Sequence, residues 1–317
     1  MRLINLVPVG TKIDFMRFRK VAAVLSLVLI ACSAGLFFTK GLNFGIDFRG
    51  GILMEVRTQG PADISRLRST LNGLALGEVQ LQEFGQPTDV LIRIERQAGG
   101  EKGQQAAINK AKAALGDEVN YRRTEFVGPK VGGELIEAGV TAVLLAMAAM
   151  LVYIWFRFEW QFGVGAVAAL LHDVALTIGV FALLGLEFNL STVAAILTIA
   201  GYSINDTVVV YDRVRENLRK FKQMSLNDLL NLSINGTLSR TLLTSVTTLI
   251  ALGALYFFGG EVIKGFSFAM IWGVVVGTYS SIFIAVPLLV YMNLRRTGLI
   301  VGEETEDAPT GNPADQG

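Results

Sequence analysis

Six long apolar runs decide what this chain of 317 residues can fold into. They occupy residues 21–38, 136–156, 162–186, 190–210, 241–258 and 266–294. A helix needs about 20 apolar residues to cross the ~30 Å hydrocarbon core of a bilayer, and each run approaches that length. The sequence therefore predicts a polytopic α-helical membrane protein with six transmembrane helices.

The composition supports this class and argues against others. Hydrophobic residues make up 52% and charged residues 17% of the chain, whereas soluble domains carry about 25% charged residues. The net charge of +1 gives no reason to expect a nucleic-acid partner. Cys32 is the only cysteine and His172 the only histidine. The sequence therefore offers no internal disulfide, no metal cluster and little for enzyme chemistry.

Lysine and arginine set the predicted orientation. They concentrate before the first run, after the fourth and after the sixth, which by the positive-inside rule places both termini in the cytoplasm of a bacterial inner membrane. The first run resembles a lipoprotein signal at Cys32, but it stays apolar through Phe38, which favours an uncleaved anchor. The predicted divisions are a cytoplasmic segment (1–20), the first transmembrane helix (21–38), a periplasmic domain (39–133), a five-helix transmembrane bundle (134–296) and a disordered acidic cytoplasmic tail (297–317).

The periplasmic segment has the pattern of a small α+β domain. Alternating apolar residues predict its strands, and helical spacing predicts its helices. The predicted order is a strand at 51–58, a helix at 61–74, strands at 78–84 and 90–95 separated by a turn at 85–87, a helix at 101–115 and a strand at 119–127. This βαββαβ order is that of ferredoxin-like domains.

Glycine-rich segments connect this domain to the membrane helices. The candidate motif and hinge residues are Gly45, Asp47, Gly50 and Gly51 at the entry and Gly128, Pro129 and Gly132 at the exit. Glycines commonly make turns where a chain passes from one element to another. On the residues alone, simple turns and a hinge both remain open.

A short amphipathic helix is predicted near 225–236, on the cytoplasmic surface of the membrane. Ser225 and Asp228 fit an N-terminal capping box. Leu226, Leu229 and Leu230 form the apolar side that would face the lipid or the bundle.

Asp206 is the leading candidate for a functional residue. It lies in the fourth apolar run, where an acid costs about 2.5–3.5 kcal/mol to insert and therefore indicates a functional site. Arg240, at the start of the fifth run, is its predicted partner. Burial favours the protonated acid and a nearby cation favours the carboxylate, so relative movement of the two would couple proton uptake to helix motion. A neutralised pair that only fixes helix packing is the structural alternative.

Other polar residues in the runs form a second set of candidates for a proton path. They are His172, Asp173, Tyr202, Asn205 and Thr244. His172 and Asp173, which are neighbours in the third run, are equally well explained by a satisfied hydrogen bond in the core. Thr244 belongs to a hydroxyl-rich stretch that would line a wet path or bond across helices, and Gly273 and Gly277 form a small-xxx-small pair for close helix contact.

Five motifs, in this order around six spans, carry a resemblance to a known family. They are GIDFRGG (45–51), VGPKVG (127–132), LHDV (171–174), GYSINDTVVVYDRVREN (201–217) and SRTLLTS (239–245). Together they resemble the SecF family, the smaller membrane subunits of the SecDF protein-export complex. The resemblance covers residues 15–296, and the acidic tail is not part of it.

The resemblance implies a fold similar to that of resistance-nodulation-division transporters and a heteromeric complex with SecD. It implies that the pair uses the proton-motive force to help unfolded polypeptides through the SecYEG channel, and it adds YajC and YidC to the candidate partners. Asp206 and Arg240 match the proton-pathway residues of the family, and proton passage is expected to move the periplasmic domain. No cofactor and no metal are expected.

Three other functions are considered. A small-molecule or lipid exporter of the same superfamily usually has twelve spans and larger periplasmic domains. An intramembrane aspartyl protease would use Tyr211-Asp212, but the chain has no Gly-x-Gly-Asp partner motif and no other hydrolase motif. A passive assembly scaffold predicts that Asp206→Asn leaves export intact.

Overall fold

The computed structural model describes residue 8, residues 11–292 and residue 294. Within these residues, six helices are long and apolar enough to cross a membrane. The prediction of six transmembrane helices is therefore confirmed. The predicted acidic tail (297–317) lies outside the described residues, as does most of the stretch 1–10 in the predicted N-terminal segment.

The elements are numbered along the chain. The helices are α1 (Arg19–Lys40), α2 (Ile46–Arg49), α3 (Ile64–Asn72), α4 (Gly100–Leu115), α5 (Pro129–Arg157), α6 (Trp160–Leu184), α7 (Leu190–Lys220), α8 (Leu226–Phe258), α9 (Glu261–Ser280) and α10 (Val286–Tyr291). The strands are β1 (Asn43–Phe44), β2 (Gly51–Thr58), β3 (Val79–Phe84), β4 (Gln86–Ile94), β5 (Val119–Val127) and β6 (Glu187–Phe188). A π-helical turn, Ser281–Ala285, joins α9 to α10, so that these three form the sixth span.

Strands β2 to β5 form the α+β domain predicted between the first two spans. Their order in the sheet is β3-β4-β2-β5, and all neighbours are antiparallel. Alternate residues of β2, Ile52, Met54 and Val56, are fully buried with Leu71 of α3 and Ala111 of α4, because successive side chains of a strand point to opposite faces. The sheet order and the single helical layer are those of a ferredoxin-like domain.

The hairpin between β3 and β4 is tighter than the predicted turn at 85–87. Only Gly85 separates the two strands, and β4 already begins at Gln86. Gly85 has a φ of 76°, a conformation that glycine adopts without the steric cost that a side chain adds. The third strand of the domain therefore begins four residues earlier than predicted.

Helix α8 runs from Leu226 to Phe258 without a break, so the prediction of a separate surface helix near 225–236 is wrong. The predicted cap is present, because the Ser225 hydroxyl accepts a hydrogen bond from the Asp228 N–H at 3.2 Å. The cap thus begins the fifth transmembrane helix itself.

Polar residues in the first turns of α8 hold the segment that leads into α1. The side-chain oxygen of Asn231 accepts from the Met16 N–H, and that of Asn235 accepts from the Ile13 N–H, both at 3.0 Å. The leucines at 229 and 230 are buried in the core of the bundle. The start of α8 therefore packs against the protein instead of lying on the membrane surface.

Helix α7 contacts α5, α6, α8 and α9. Half of the residues in its most apolar stretch are buried inside the protein. The glycine pair of the sixth span packs against α7. A Cβ atom added to Gly273 would lie 2.3 Å from Ile199 Cγ1, and one added to Gly277 would lie 3.3 Å from Ser203 Cβ. The close approach of α9 to α7 therefore depends on small residues, as is common in membrane bundles.

The beginning of α7 is fixed by its local sequence. Helix α6 ends at Gly185, which has a φ of 65°, a common way to terminate a helix. Asn189 then caps α7, since its side chain accepts from the Thr192 N–H at 3.0 Å. The turn between the third and fourth spans is therefore short and well defined, and it forms the docking point described below.

Candidate functional site

Asp206 of α7 is a buried carboxyl group inside the bundle, with 6% of its surface exposed. Thr241 of α8 donates a hydrogen bond from its hydroxyl to Oδ1 at 2.7 Å, and Ser281 of the π-helical turn donates to Oδ2 at 2.6 Å. Each carboxyl oxygen thus has a hydroxyl partner from a different span. Hydroxyl groups both donate and accept, so these partners suit the charged and the neutral acid.

Arg240 is not in direct contact with Asp206. No ion pair within 4.0 Å joins them in the part of the chain that the structure describes, and Arg240 is exposed on α8. The next residue, Thr241, takes the position against the acid, because neighbouring residues of a helix point about 100° apart. Arg240 still interacts electrostatically with Asp206. The predicted contact is thus corrected to a hydroxyl bond with a cation nearby.

His172 and Asp173 of α6 form a second buried polar cluster, and 2% and 0% of their surfaces are exposed. His172 Nδ1 lies 2.9 Å from Asp173 Oδ1. Oδ2 of the same carboxyl group accepts from the hydroxyl of Ser203 on α7 at 2.5 Å and from that of Ser280 on α9 at 2.8 Å. The carboxyl group therefore links three spans.

Tyr202 approaches the Asp206 site through a chain of hydroxyl groups that ends at Thr278, whose backbone carbonyl makes the next contact. Its hydroxyl donates to Ser245 Oγ at 3.2 Å, and Ser245 shares a hydrogen bond of 2.8 Å with the Thr278 hydroxyl. The carbonyl of Thr278 accepts from Ser281 at 3.0 Å, and Ser281 bonds to Asp206. The structure thus connects this second-set residue with the leading candidate.

Asn205 and Thr244 are not part of this chain of hydroxyl groups. Asn205 is exposed on α7. The hydroxyl of Thr244, which is also exposed, donates to the Arg240 carbonyl of its own helix at 3.1 Å. Both side chains lie instead on the outer surface of the bundle.

Sequence reasoning missed four residues that bond directly to the two acids. They are Ser203, Thr241, Ser280 and Ser281. Thr241 belongs to the hydroxyl-rich stretch, which was a visible signal. The two neighbouring serines stand inside the apolar run of the sixth span, which was a weaker one. Their π-helical turn could not be foreseen, although such turns are frequent at functional sites.

The glycine-rich entry segment docks onto the turn at which α7 begins. Strand β1 pairs in parallel with β6, and the Gly45 N–H donates to the Phe188 carbonyl at 2.9 Å. The side chain of Asp47 in α2 accepts from the Leu190 N–H at 2.8 Å. A carboxylate at this position satisfies a free N–H of the helix and interacts favourably with its dipole. The helix that carries Asp206 is therefore attached to the entry of the α+β domain.

A charged contact strengthens the same junction. Arg93 of β4 forms an ion pair with Glu187 of β6, and it also donates to the side-chain oxygen of Asn43 at 3.2 Å. The sheet of the domain is thus bonded to the turn between the third and fourth spans as well as to the chain that leads out of α1.

Gly50 and Gly51 are required by the backbone at the start of β2. Their φ angles are 71° and 116°, in the region that favours glycine. A Cβ atom on Gly51 would also lie 2.7 Å from the Ile94 carbonyl oxygen of the paired strand. These two glycines turn the chain from α2 into the sheet.

The exit segment packs against the entry segment. Gly128 precedes α5, and Pro129 is its first residue, a position where the fixed φ of proline suits a helix. A Cβ atom on Gly132 would lie 3.3 Å from the Phe48 carbonyl oxygen of α2. The two connections of the domain therefore leave the membrane side by side.

Comparisons with known proteins identify the family. A family model described as "Protein export membrane protein SecD/SecF, C-terminal" matches residues 107–295, and one described as "SecD/SecF GG Motif" matches residues 35–62. The protein translocase subunit SecF of Rickettsia rickettsii is 48% identical over 290 residues, which cover 90% of this chain and 94% of that protein. The SecF subunit of Cereibacter sphaeroides is 47% identical over 304 residues, which cover 93% of this chain and 94% of that protein. The chain belongs to the SecD/SecF family of protein-export membrane proteins.

Two solved structures extend this relationship to the fold. The crystal structure of SecDF from Thermus thermophilus, a translocon-associated membrane protein, matches 92% of this chain with a TM-score of 0.83 and 37% identity. The crystal structure of SecDF in a super-membrane-facing form matches 93% of this chain with a TM-score of 0.68 and 36% identity. This chain spans 40% of the length of either SecDF chain.

Within the SecD/SecF family, the GG motif has a clear position in this structure. The matched residues, 35–62, run from the end of α1 through α2 and all of β2. The motif is therefore the docking segment described above, and Gly50 and Gly51 are adjacent glycines within it.

Proposed function

We propose that this protein is a subunit of a complex that uses the proton-motive force to promote protein export through the Sec translocon, with no enzymatic reaction of its own. Its membership of the SecD/SecF family supports the export role. The observation that carries the use of protons is Asp206, an acid buried at membrane depth with a hydroxyl donor at each oxygen.

The position of Asp206 suits a carrier of protons. It lies 16 residues from the first residue of α7, about 24 Å along the helix at 1.5 Å per residue, which is well inside a ~30 Å hydrocarbon core. A proton that binds there removes a charge from the interior, and its release restores the charge. One charge that crosses 100 mV supplies about 2.3 kcal/mol, so several protons can drive a movement.

Arg240 has two roles in this proposal. Its charge favours release of the proton from Asp206, because a nearby cation stabilises the carboxylate. Its exposure at membrane depth also indicates that another protein covers it, since an arginine that faces lipid is costly. The exposed side chains of Asn205 and Thr244 extend the same polar surface on α7 and α8.

We infer that SecD is the protein that covers this surface and that it supplies a carboxylate near Arg240. The similar SecDF structures contain a chain more than twice as long as this one, which agrees with a second membrane subunit. SecYEG and the emerging polypeptide are the partners expected during export, and YajC and YidC remain candidates from the family resemblance.

The proposed location is a bacterial inner membrane, with both termini in the cytoplasm. The ends of the spans on the side opposite the sheet carry many basic residues. These are Arg17, Arg19, Lys20, Arg157, Arg213, Arg215, Arg219, Lys220 and Lys222. The positive-inside rule assigns that side to the cytoplasm and the α+β domain to the periplasm.

The junction at the start of α7 gives the proposed route from proton passage to domain movement. Asp47 and the β1–β6 pair bond the entry segment to the helix that carries Asp206. The two SecDF structures match this chain over almost the same share but with TM-scores of 0.83 and 0.68, and one of them is described as a super-membrane-facing form. That difference supports a movable domain.

The test is protein export in membrane vesicles that contain the whole complex, measured with and without an imposed proton gradient. We expect Asp206→Asn to remove the stimulation by the gradient and to leave gradient-independent export and complex assembly unchanged. Asp212→Asn is the matched control, because Asp212 lies on the same helix but is exposed and paired with Arg157 at 2.7 Å. It should export like the wild type. If Asp206→Asn keeps the full stimulation, the proton role is wrong and a scaffold is favoured.

A further inference from the structure

Two buried acids bond to neighbouring serines at the end of α9. Ser280 donates to Asp173 Oδ2 at 2.8 Å, and Ser281 donates to Asp206 Oδ2 at 2.6 Å. All four residues are buried, with 6% exposure or less. The acids belong to α6 and α7, and adjacent serines of the sixth span each bond to one of them.

Each of the two serine hydroxyl groups has a second acceptor within reach. Ser280 Oγ lies 3.1 Å from the Gly277 carbonyl oxygen, and Ser281 Oγ lies 3.0 Å from the Thr278 carbonyl oxygen. A hydroxyl group has one proton to donate and can also accept. It donates to a carboxylate, and when the acid takes up a proton it accepts from the acid and donates to the carbonyl instead. Protonation then leaves no buried polar group without a partner.

The backbone at the serines is suited to such a switch. The π-helical turn begins at Ser281, and single π-helical turns interrupt the regular hydrogen-bond ladder of an α-helix, frequently at functional sites. Because the two serines are adjacent, a change in the hydrogen bond of one alters the backbone that carries the other. The two acids therefore bond to adjacent residues at the junction between α9 and the π-helical turn.

The acids lie at different depths. Asp173 is 11 residues from the end of α6 at Leu184, and Asp206 is 16 residues from the start of α7 at Leu190. These separations correspond to about 17 Å and about 24 Å from the periplasmic ends of the two helices. Asp173 thus lies near the middle of the bilayer, and Asp206 lies closer to the cytoplasm.

Both ends of this network have an open hydrogen-bonding position. His172 Nε2 and Thr207 Oγ1 are buried and have no partner among the residues that the structure describes. Buried polar atoms without a partner are rare in proteins. The histidine atom lies beyond Asp173, and Thr207 follows Asp206 in the chain. Each acid is therefore next in the chain to a buried residue that has a hydrogen-bonding atom without a partner in the described residues.

We propose that the Asp173–His172 pair is a second protonation site and that Ser280 and Ser281 couple its protonation to that of Asp206. Protons would then occupy the two acids in turn, and the serines would change acceptors with each change of charge. This inference rests on the proposed use of protons, but it concerns residues that the export role alone does not require.

The surroundings of His172 define what a titration would report. Asp173 lies beside it on α6, and Tyr279 of α9 contacts the imidazole with ring centroids 5.9 Å apart. Helix α1 presents Ser26, which is hydrogen-bonded to Tyr279 at 3.0 Å, and α7 presents Ser203 to the pair. Asp206 is the next titratable group, beyond the serines.

The experiment uses the fact that His172 is the only histidine of the chain. The full chain is labelled with ¹⁵N-histidine, purified without a polyhistidine tag, placed in lipid nanodiscs and titrated by NMR. We expect Asp206→Asn to move the midpoint of the His172 titration by about one pH unit, the size that defines coupled groups. In a chain that also carries Ser280→Ala and Ser281→Ala, Asp206→Asn should shift the His172 midpoint by less than half as much as it does when both serines are present. Such a double-mutant comparison isolates the coupling.

Ser267→Ala is the matched control, because Ser267 is a fully buried serine of the same helix about four turns away from the acids. It should titrate like the wild type. If the double serine variant does not fold, Ser281→Ala alone should reduce the effect and Ser281→Thr, which keeps the hydroxyl group, should restore it.

Three results would overturn the proposal. They are a His172 midpoint that Asp206→Asn does not move, a shift that persists without the serine hydroxyl groups, and an imidazole that never titrates. The NMR test needs no export, so loss of coupling leaves the proposed function intact. Conversely, normal export by Asp206→Asn would remove the proposed function without affecting the measured coupling.

Discussion

Replacement of Gly51 by alanine tests whether the GG motif is a structural requirement of the α+β domain. Gly51 has a φ of 116°, and side chains in such sparsely populated regions cost about 1–3 kcal/mol. The added Cβ atom would also lie 2.7 Å from the Ile94 carbonyl oxygen. That oxygen belongs to β4, whose Ile94 is paired with Ile52, so it cannot move away without disturbing the sheet.

The expected effect is large for a domain of this size. About 4–8 °C of melting temperature is lost per kcal/mol in domains of 60–100 residues. We therefore expect Gly51→Ala to lower the melting temperature of the α+β domain by at least ~4 °C and by up to ~24 °C. The measurement is the resistance of the domain to protease as the temperature is raised. The sample is the full chain in membranes from opened cells.

Gly60→Ala provides the control for this substitution. A Cβ atom on Gly60 would have open space around it, and surface substitutions of this kind usually change stability by less than about 0.5 kcal/mol. If the Gly51→Ala domain has the same melting temperature as the Gly60→Ala domain, the argument from backbone strain and close contact is refuted.

Two further predictions concern the domain and its junction. The pKa of Asp89 is lowered by its hydrogen bonds from Arg57 at 2.5 and 2.6 Å. Their contribution to stability is therefore present above the ordinary pKa of an aspartate and is lost as the pH falls through the lowered value. Asp89→Asn should flatten this acid dependence in the protease assay, and an unchanged profile would contradict the assignment. Asp47→Ala should slow thiol crosslinking between cysteines placed at Phe44 and Phe188, which are paired across β1 and β6, in a chain whose Cys32 is replaced by serine. Asp63→Ala, which removes a helix cap inside the domain, should not, and equal rates in the two variants would show that Asp47 does not hold the junction.

The six spans and the order of strands and helices in the α+β domain could be predicted because both depend on the period and length of apolar residues. Lipid requires long apolar helices, and a sheet with one buried face requires alternation. The bounds of the first and last strands of the domain, 51–58 and 119–127, agree with β2 and β5. These elements are set by local pattern, and no knowledge of neighbours is needed to find them.

The start of α8 could not be predicted because its polar residues serve distant partners. Asn231 and Asn235 lie in the stretch 225–236 that was predicted to be a surface helix. In the structure they bond to backbone N–H groups more than 200 residues away in the chain. A sequence pattern cannot distinguish an amide that faces water from one that holds another segment.

Helix α8 contacts Asp206 as expected, but through a different residue from the one predicted. Arg240 was expected to meet Asp206, and the neighbouring Thr241 does so. A difference of one residue turns a side chain by about 100°, and the rotation of α8 is decided by its packing against α7 and α9. Ser281 also contacts Asp206. It begins a π-helical turn, and that turn has no reliable signature in the sequence.

The two ends of the proposed mechanism lie on one stiff element. Asp206 and the N–H of Leu190, which Asp47 holds, belong to the continuous helix α7 and are separated by about 24 Å of regular helix. A helix of that kind transmits a shift or rotation at the acid to its N-terminus more readily than a loop would, because its backbone hydrogen bonds resist compression. The GG motif is bonded at that N-terminus and leads directly into β2, so a movement of α7 that follows a change of charge would reach the sheet without any intervening flexible segment.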